Sequence, residues 1–214
     1  MTLPTSAKEQ CRFIPSDYSE EARAVQETAA SKLRGKKREK QLAEIAARFE
    51  TAPVYLIATP TILERAKWRR AVVSVGARWH DDAAMIDCLK RGIAEVIEPE
   101  RQDEILATVD SFAEANDDVT ADLARDFEEV ERAILSAFEP YAAMAADRAY
   151  WLEVAPILAA QQFLRGWENV DSAFERRNGL VSETALGGIP EAHVIEIGLE
   201  AISLMSPTEA EAKN

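Results

Sequence analysis

The chain has little of what catalytic and metal-binding sites are usually built from: two cysteines and two histidines in 214 residues. Cys11 and Cys88 lie far apart, without the short spacing of a zinc knuckle or a redox pair, and read as free thiols of a reducing compartment. His80 and His193 come from distant segments. Neither has a Glu three residues before it or a second His four residues away, which excludes the helical di-iron and zinc-protease spacings. No Gly-x-Ser-x-Gly elbow occurs, and Gly35-Lys36-Lys37 lacks both the preceding strand and the hydroxyl of a phosphate loop. Gly187-Gly188 reads as a turn ahead of Pro190. Gly and Pro are scarce, at 8 and 9, while Ala, Glu, Leu and Arg abound, a balance that favours helix. Long apolar runs are missing as well. Val154 to Leu164, an uncharged and largely apolar stretch, is interrupted by Pro156 and two glutamines and is too short to cross a bilayer. Met1 to Tyr18 lacks the charged-then-apolar order of a signal peptide. The expectation is an intracellular, cytoplasmic chain with no membrane span.

What is present is an apolar fraction of 47%, ample for a core, and a lopsided charge. The net charge is −13. Residues 1–80 carry 15 Lys or Arg against 9 Asp or Glu, whereas residues 81–214 carry 10 against 29. A surface that acidic repels nucleic acid and anionic lipid over a Debye length of about 8 Å, which argues against nucleic acid as a partner for that part.

Apolar residues recur at helical spacing along most of the chain. Ser19 with Glu20 and Glu21 marks a helix start, and Leu42, Ile45, Ala46 and Phe49 form an i, i+3, i+4, i+7 stripe. Thr59-Pro60 reads as N-cap and first helical position, with Gly76 as the stop. That helix carries Ile62, Leu63, Ala66 and Val73 on one face and Trp68, Val72 and Val75 on another, a pattern that predicts burial on both sides. Asp81 or Asp82 opens a further helix with Met85, Ile86, Leu89, Ile93 and Val96 on one side; Ile105, Leu106, Val109, Phe112 and Ala113 mark another; and Asp118 to Phe138 reads as one long helix with Val119, Leu123, Phe127, Val130, Ile134 and Phe138 stacked every three or four residues. Tyr141 to Leu164 is the most apolar, with a bend at Pro156; Gly166 to Val181 reads as a long loop. The last helix starts at Pro190, with Ile195, Leu199 and Ile202 as its stripe. The fold class expected is all-α: a single helical domain of about eight helices over residues 19–205, packed as an irregular bundle, with at most one short strand near 54–57. Residues 1–18 and 206–214 read as flexible tails, and 116–118 as the alternative internal boundary.

Three groups of side chains invite a functional reading. Lys32, Arg34, Lys36, Lys37, Arg38 and Lys40 form a basic patch suited to phosphate, without the interleaved aromatics that stack bases; it also reads as a solvated face. The acidic segment 114–131 could hold a divalent cation or face a basic partner. Among the tryptophans, Trp68 and Trp151 read as core. Phe163, Trp167 and Phe174 are the candidates for partner binding, because aromatic residues are enriched at interface hot spots. No catalytic residue, metal ligand or cofactor is called for.

The run Tyr55-Leu-Ile-Ala-Thr-Pro-Thr-Ile-Leu-Glu-Arg-Ala-Lys-Trp-Arg-Arg-Ala71, with Phe163-Leu-Arg-Gly-Trp-Glu and Phe174-Glu-Arg-Arg-Asn-Gly-Leu-Val181, resembles segments of small helical proteins of phage and prophage tail modules, the tail assembly chaperones. The resemblance runs from about residue 53 to the end and leaves the basic patch outside it. It implies a non-catalytic chaperone in the bacterial host cytoplasm that binds the tape measure protein, or another tail protein, during tail assembly. It also implies a ribosomal −1 slip: Ala212-Lys213-Asn214 encoded as GCA-AAA-AAC or GCA-AAA-AAT would supply the slippery heptamer and append a second reading frame. The alternatives are a nucleic-acid-binding regulator using residues 32–40 and a cation-binding protein using residues 114–131.

Overall fold

A computed structural model describes residues 10–115 and 118–205. They are mostly helical, with a few short antiparallel strands. The chain divides into two compact units: residues 1–75 together with 153–214, and residues 76–152. Where the sequence suggested one domain over 19–205, the divisions fall at 75/76 and 152/153. The first is at Gly76, whose φ of 85° ends a helix in the left-handed region that glycine tolerates. Of the alternative boundary at 116–118, residues 116 and 117 lie outside the described residues, as does the expected tail 206–214.

The first unit opens with β1 (Gln10–Phe13), a 3-10 turn (Ser16–Tyr18), α1 (Glu20–Ser31), α2 (Lys36–Glu50), β2 (Val54–Ala58) and α3 (Ile62–Ser74). It resumes with the end of α7 (Glu139–Phe163), then β3 (Leu164–Glu168), β4 (Arg176–Arg177), β5 (Leu180–Val181), α8 (Glu183–Leu186) and α9 (Glu191–Ser203). The expectation of at most one strand is corrected here. β2 is the centre of a three-stranded antiparallel sheet, with Phe13 opposite Tyr55 on one side and Trp167 opposite Tyr55 on the other. β2 shows no alternation because its residues are nearly all buried, so it reads as a short apolar run. Of the expected tail 1–18, residues 1–9 lie outside the described residues, and residues 10–18 form an edge strand and a turn, held by Ser16, whose N–H and hydroxyl both donate to Glu196 at 2.7 and 2.6 Å. The expected loop 166–181 holds most of β3 and the β4–β5 hairpin. That hairpin turns at Asn178-Gly179, both at positive φ, 53° and 83°, the pair that two-residue hairpins favour.

Two helix readings also change. Thr61, not Thr59, caps α3: its hydroxyl accepts from the Glu64 N–H, and the Glu64 carboxylate accepts from the Thr61 N–H at 3.0 Å, a capping box. α3 is buried on one side only. Trp68 and Val72 are inside, and the Trp68 indole donates to the Ala155 carbonyl at 3.2 Å, but Ile62, Leu63 and Val73 are 77%, 74% and 70% exposed. In α9 the buried face is His193, Val194, Ile197, Gly198 and Ala201, with Leu199 outside. Gly198 lies so close to the Pro156 carbonyl that a Cβ there would sit 1.9 Å from the oxygen.

The second unit comprises α4 (Asp82–Val96), α5 (Pro99–Ala115), α6 (Ala121–Ala137) and the first part of α7. Asp81 caps α4 and Thr120 caps α6, each side chain accepting a backbone N–H of the first turn. Cys88, Leu89, Ile93, Val109 and Ile134 are fully buried at its centre, with Phe127, Phe138 and Tyr141 around them. The stripes read from the sequence supply this core.

Candidate functional site

Of the predicted partner-binding aromatics, Phe163 is buried, while Trp167 and Phe174 are partly exposed. Phe163 ends α7 with no exposure at all and is core, which removes it from the candidate list. Trp167 and Phe174 do come together, edge to face at 4.9 Å, and Trp167 also meets Tyr55 at 6.4 Å. The Trp167 indole donates to the Ser172 carbonyl at 2.8 Å. This cluster anchors the long segment after β3 to the sheet. Beneath it, the Tyr55 hydroxyl bonds His193 Nδ1 at 2.9 Å, and His193 Nε2 faces Asp17 Oδ1 at 3.2 Å. Donation from Tyr55 to Nδ1 and from Nε2–H to Asp17 satisfies all three groups. Burial above all, with the nearby Tyr18 and Asp17, pushes the Tyr55 phenol up to about 12, so it remains a proton donor. Arg48 closes the group, 3.2 Å from Asp17 and 4.8 Å over the Tyr18 ring. The second histidine, which had no sequence motif, is thus a buried strut.

The basic patch is exposed throughout, from the end of α1 through the Gly35 turn into the first turns of α2. Cations at a helix start oppose the helix dipole, so they are not there to support α2. In the acidic segment, Arg125 pairs with Asp122 and Asp126 at 2.9 and 3.2 Å, and Glu131 is drawn inward. Among the described residues, no three His, Cys, Asp or Glu side chains gather as a cation-binding group.

Glu131 leads instead to a feature that sequence reasoning missed, an open cleft of about 860 Å³ within the unit 76–152. Its floor is apolar: Met85 and Ile86 from α4, Phe112 from α5, and Ala145, Ala149 and Leu152 from α7. Phe112 is fixed by stacking on Phe127, centroids 3.8 Å apart. The polar groups are few and mostly tied. The Tyr141 hydroxyl donates to Glu131 at 2.6 Å, and burial first, then this bond, raises its pKa. Arg148 pairs with Asp82 at 2.7 Å and lies 4.7 Å over the Trp79 ring. Asp82, Asp87 and Glu131 rim the opening. The charge of this unit is lopsided. Residues 76–152 hold 7 Lys or Arg against 19 Asp or Glu, a net −12 of the total −13, leaving −1 for all the rest. The signal that could have revealed the cleft is the alanine pair at 145 and 149, which leaves one face of an apolar helix unfilled.

Compared with protein-family models, with curated proteins and with solved structures, the chain matches none. Among the described residues, no helix is long and apolar enough to cross a membrane.

Proposed function

We propose that the chain is a non-catalytic assembly protein of the phage tail kind, a chaperone that holds a tape measure protein, or another tail protein, dispersed in the bacterial cytoplasm until the tail is built. The observation that carries this reading is the open apolar cleft inside the unit that bears nearly all of the net charge. An apolar client stripe is shielded in such a cleft, and mutual repulsion between strongly acidic complexes opposes their aggregation. Two of the runs that resemble tail proteins supply the paired strands β2 and β3, in which Tyr55 and Trp167 are register partners.

Co-expression with a tape measure protein is the test. The expected result is a soluble complex that survives gel filtration; an insoluble client and no complex overturn the reading. Sequencing the gene adds a second check, since GCA-AAA-AAC or GCA-AAA-AAT at residues 212–214 with an overlapping −1 frame supports tail assembly.

A second reading is favoured by the exposure of all six residues of the basic patch: a nucleic-acid-binding regulator. It requires retention on duplex DNA that falls steeply with salt and vanishes when those six residues become Gln. Flow-through at low salt eliminates it.

A further inference from the structure

We infer that the occupant of the cleft is a basic amphipathic helix, seated along α7 with its apolar side on the alanine pair and its Lys or Arg residues toward Asp87 and Glu131. This rests on the assembly reading above and names the chemistry of the client segment. The shape comes from α7. Tyr141, Ala145, Arg148, Ala149 and Leu152 line the cleft at i, i+4, i+7, i+8 and i+11, a continuous row about 16 Å long at 1.5 Å per residue. That row matches three turns of a second helix, and alanines at its middle allow the close approach that larger side chains prevent.

The chemistry comes from the floor and the rim. Met85, Ile86, Phe112 and Leu152 offer nothing to a polar surface, so the occupant must present an apolar stripe. The rim excludes anions. Arg148, the cation lining the opening, is already committed to Asp82 at 2.7 Å, while Asp87 is exposed and Glu131 uses one oxygen for the Tyr141 hydroxyl. With a net −12 on the unit around it, a cationic helix is steered toward the cleft and an acidic one repelled.

The experiment uses the full-length chain and a fluorescein-labelled synthetic peptide of about four turns, enough to hold helix when bound. The peptide carries Leu at i, i+3, i+4 and i+7 spacing and Lys on its other face. Anisotropy titrations compare it with two controls, one with every Lys replaced by Glu and one with every Leu replaced by Ser. The Lys-Leu peptide is expected to bind, to weaken severalfold as salt rises from low to high ionic strength, and to outbind both controls by roughly tenfold or more, a difference of about 1.4 kcal/mol. Ala149→Trp fills the cleft from an exposed position and is expected to raise Kd at least about tenfold. Asp87→Lys, also exposed, is expected to raise it a fewfold with a shallower salt dependence. Circular dichroism confirms that each variant keeps its helix content. Equal binding of the Glu control, equal binding of the Ser control, or affinity unchanged in both variants overturns the proposal. If the Lys-Leu peptide fails while co-expression still yields a soluble complex, the basic-helix occupant is overturned and the assembly role stands. If the peptide binds as expected and co-expression yields no complex, the cleft chemistry stands and the tail role falls.

Discussion

Gly198→Ala isolates a single close approach. A Cβ at this position would lie 1.9 Å from the Pro156 carbonyl oxygen and 2.4 Å from its carbon. Carbon and oxygen in close favourable contacts stay about 3.3 Å apart, so α9 and α7 would have to separate by roughly 1 Å or more in a densely packed interior. Overpacking of this kind costs about 1–3 kcal/mol, at the upper end when the obstruction is backbone. Alanine returns about 1 kcal/mol through helix propensity. The net expectation is a loss of about 2 kcal/mol, or roughly 4–8 °C in Tm for a chain of this size. Gly92→Ala is the matched comparison. Its Cβ would meet Ile134 Cγ2 at 2.5 Å and Phe138 Cδ1 at 2.8 Å, buried side-chain atoms that must shift, but less far and against less resistance than the backbone carbonyl that faces Gly198. With the same propensity gain, it is expected to remain within about 1 kcal/mol of the parent. Thermal and urea denaturation followed by circular dichroism measure both. If Gly198→Ala melts at or above the parent temperature, or if Gly92→Ala is the more damaging, the argument from fixed backbone against movable side chain is refuted.

Two further predictions follow from the first unit. Partial burial pushes the Glu64 carboxyl up, but the Thr61 N–H and hydroxyl outweigh it, with Arg165 at 2.9 Å adding to them, so its pKa lies below the usual 4.5. Its stabilisation is therefore present above about pH 4.5 and lost as pH falls through the depressed pKa. Glu64→Gln should cost about 1 kcal/mol at neutral pH, and its stability curve should converge on the parent's in acid; parallel curves from pH 7 to 3 would contradict this. Tyr55→Phe leaves His193 Nδ1 buried without its partner and should cost about 1–3 kcal/mol; an unchanged urea midpoint would mean that the bond contributes nothing net.

The helical core of residues 76–152 was legible because its stripes are regular and its partners are near in the chain. Met85, Leu89 and Ile93 are buried as their spacing implied. The sheet was not, because β2 meets strands from distant segments and β1 and β3 are short, with polar residues such as Gln10, Arg12, Arg165 and Glu168. No local pattern reports a partner so far away. The hairpin at Asn178-Gly179 was written in the sequence and passed over amid polar neighbours. α3 shows the opposite failure: two apolar faces implied two-sided burial, yet Ile62, Leu63 and Val73 stand in solvent, since periodicity gives a face but not what covers it. The cleft escaped because its floor reads residue by residue as core. Only the positions of Ala145 and Ala149 opposite α4 and α5 distinguish an unfilled groove from packing.

The division of the chain at residues 75 and 152 bears on the order of events at the ribosome. The unit 76–152 is an insertion, with every segment of its core contiguous in the chain. The outer unit has β1 and β2 early, but their third strand, the His193 partner of Tyr55, and the Gly198 contact all arrive after residue 152. Contacts of low sequence separation form sooner than distant ones. The acidic unit, cleft included, can therefore be finished while β2 still waits for its far edge, and for that interval the nascent chain carries a completed cleft while its sheet is still incomplete.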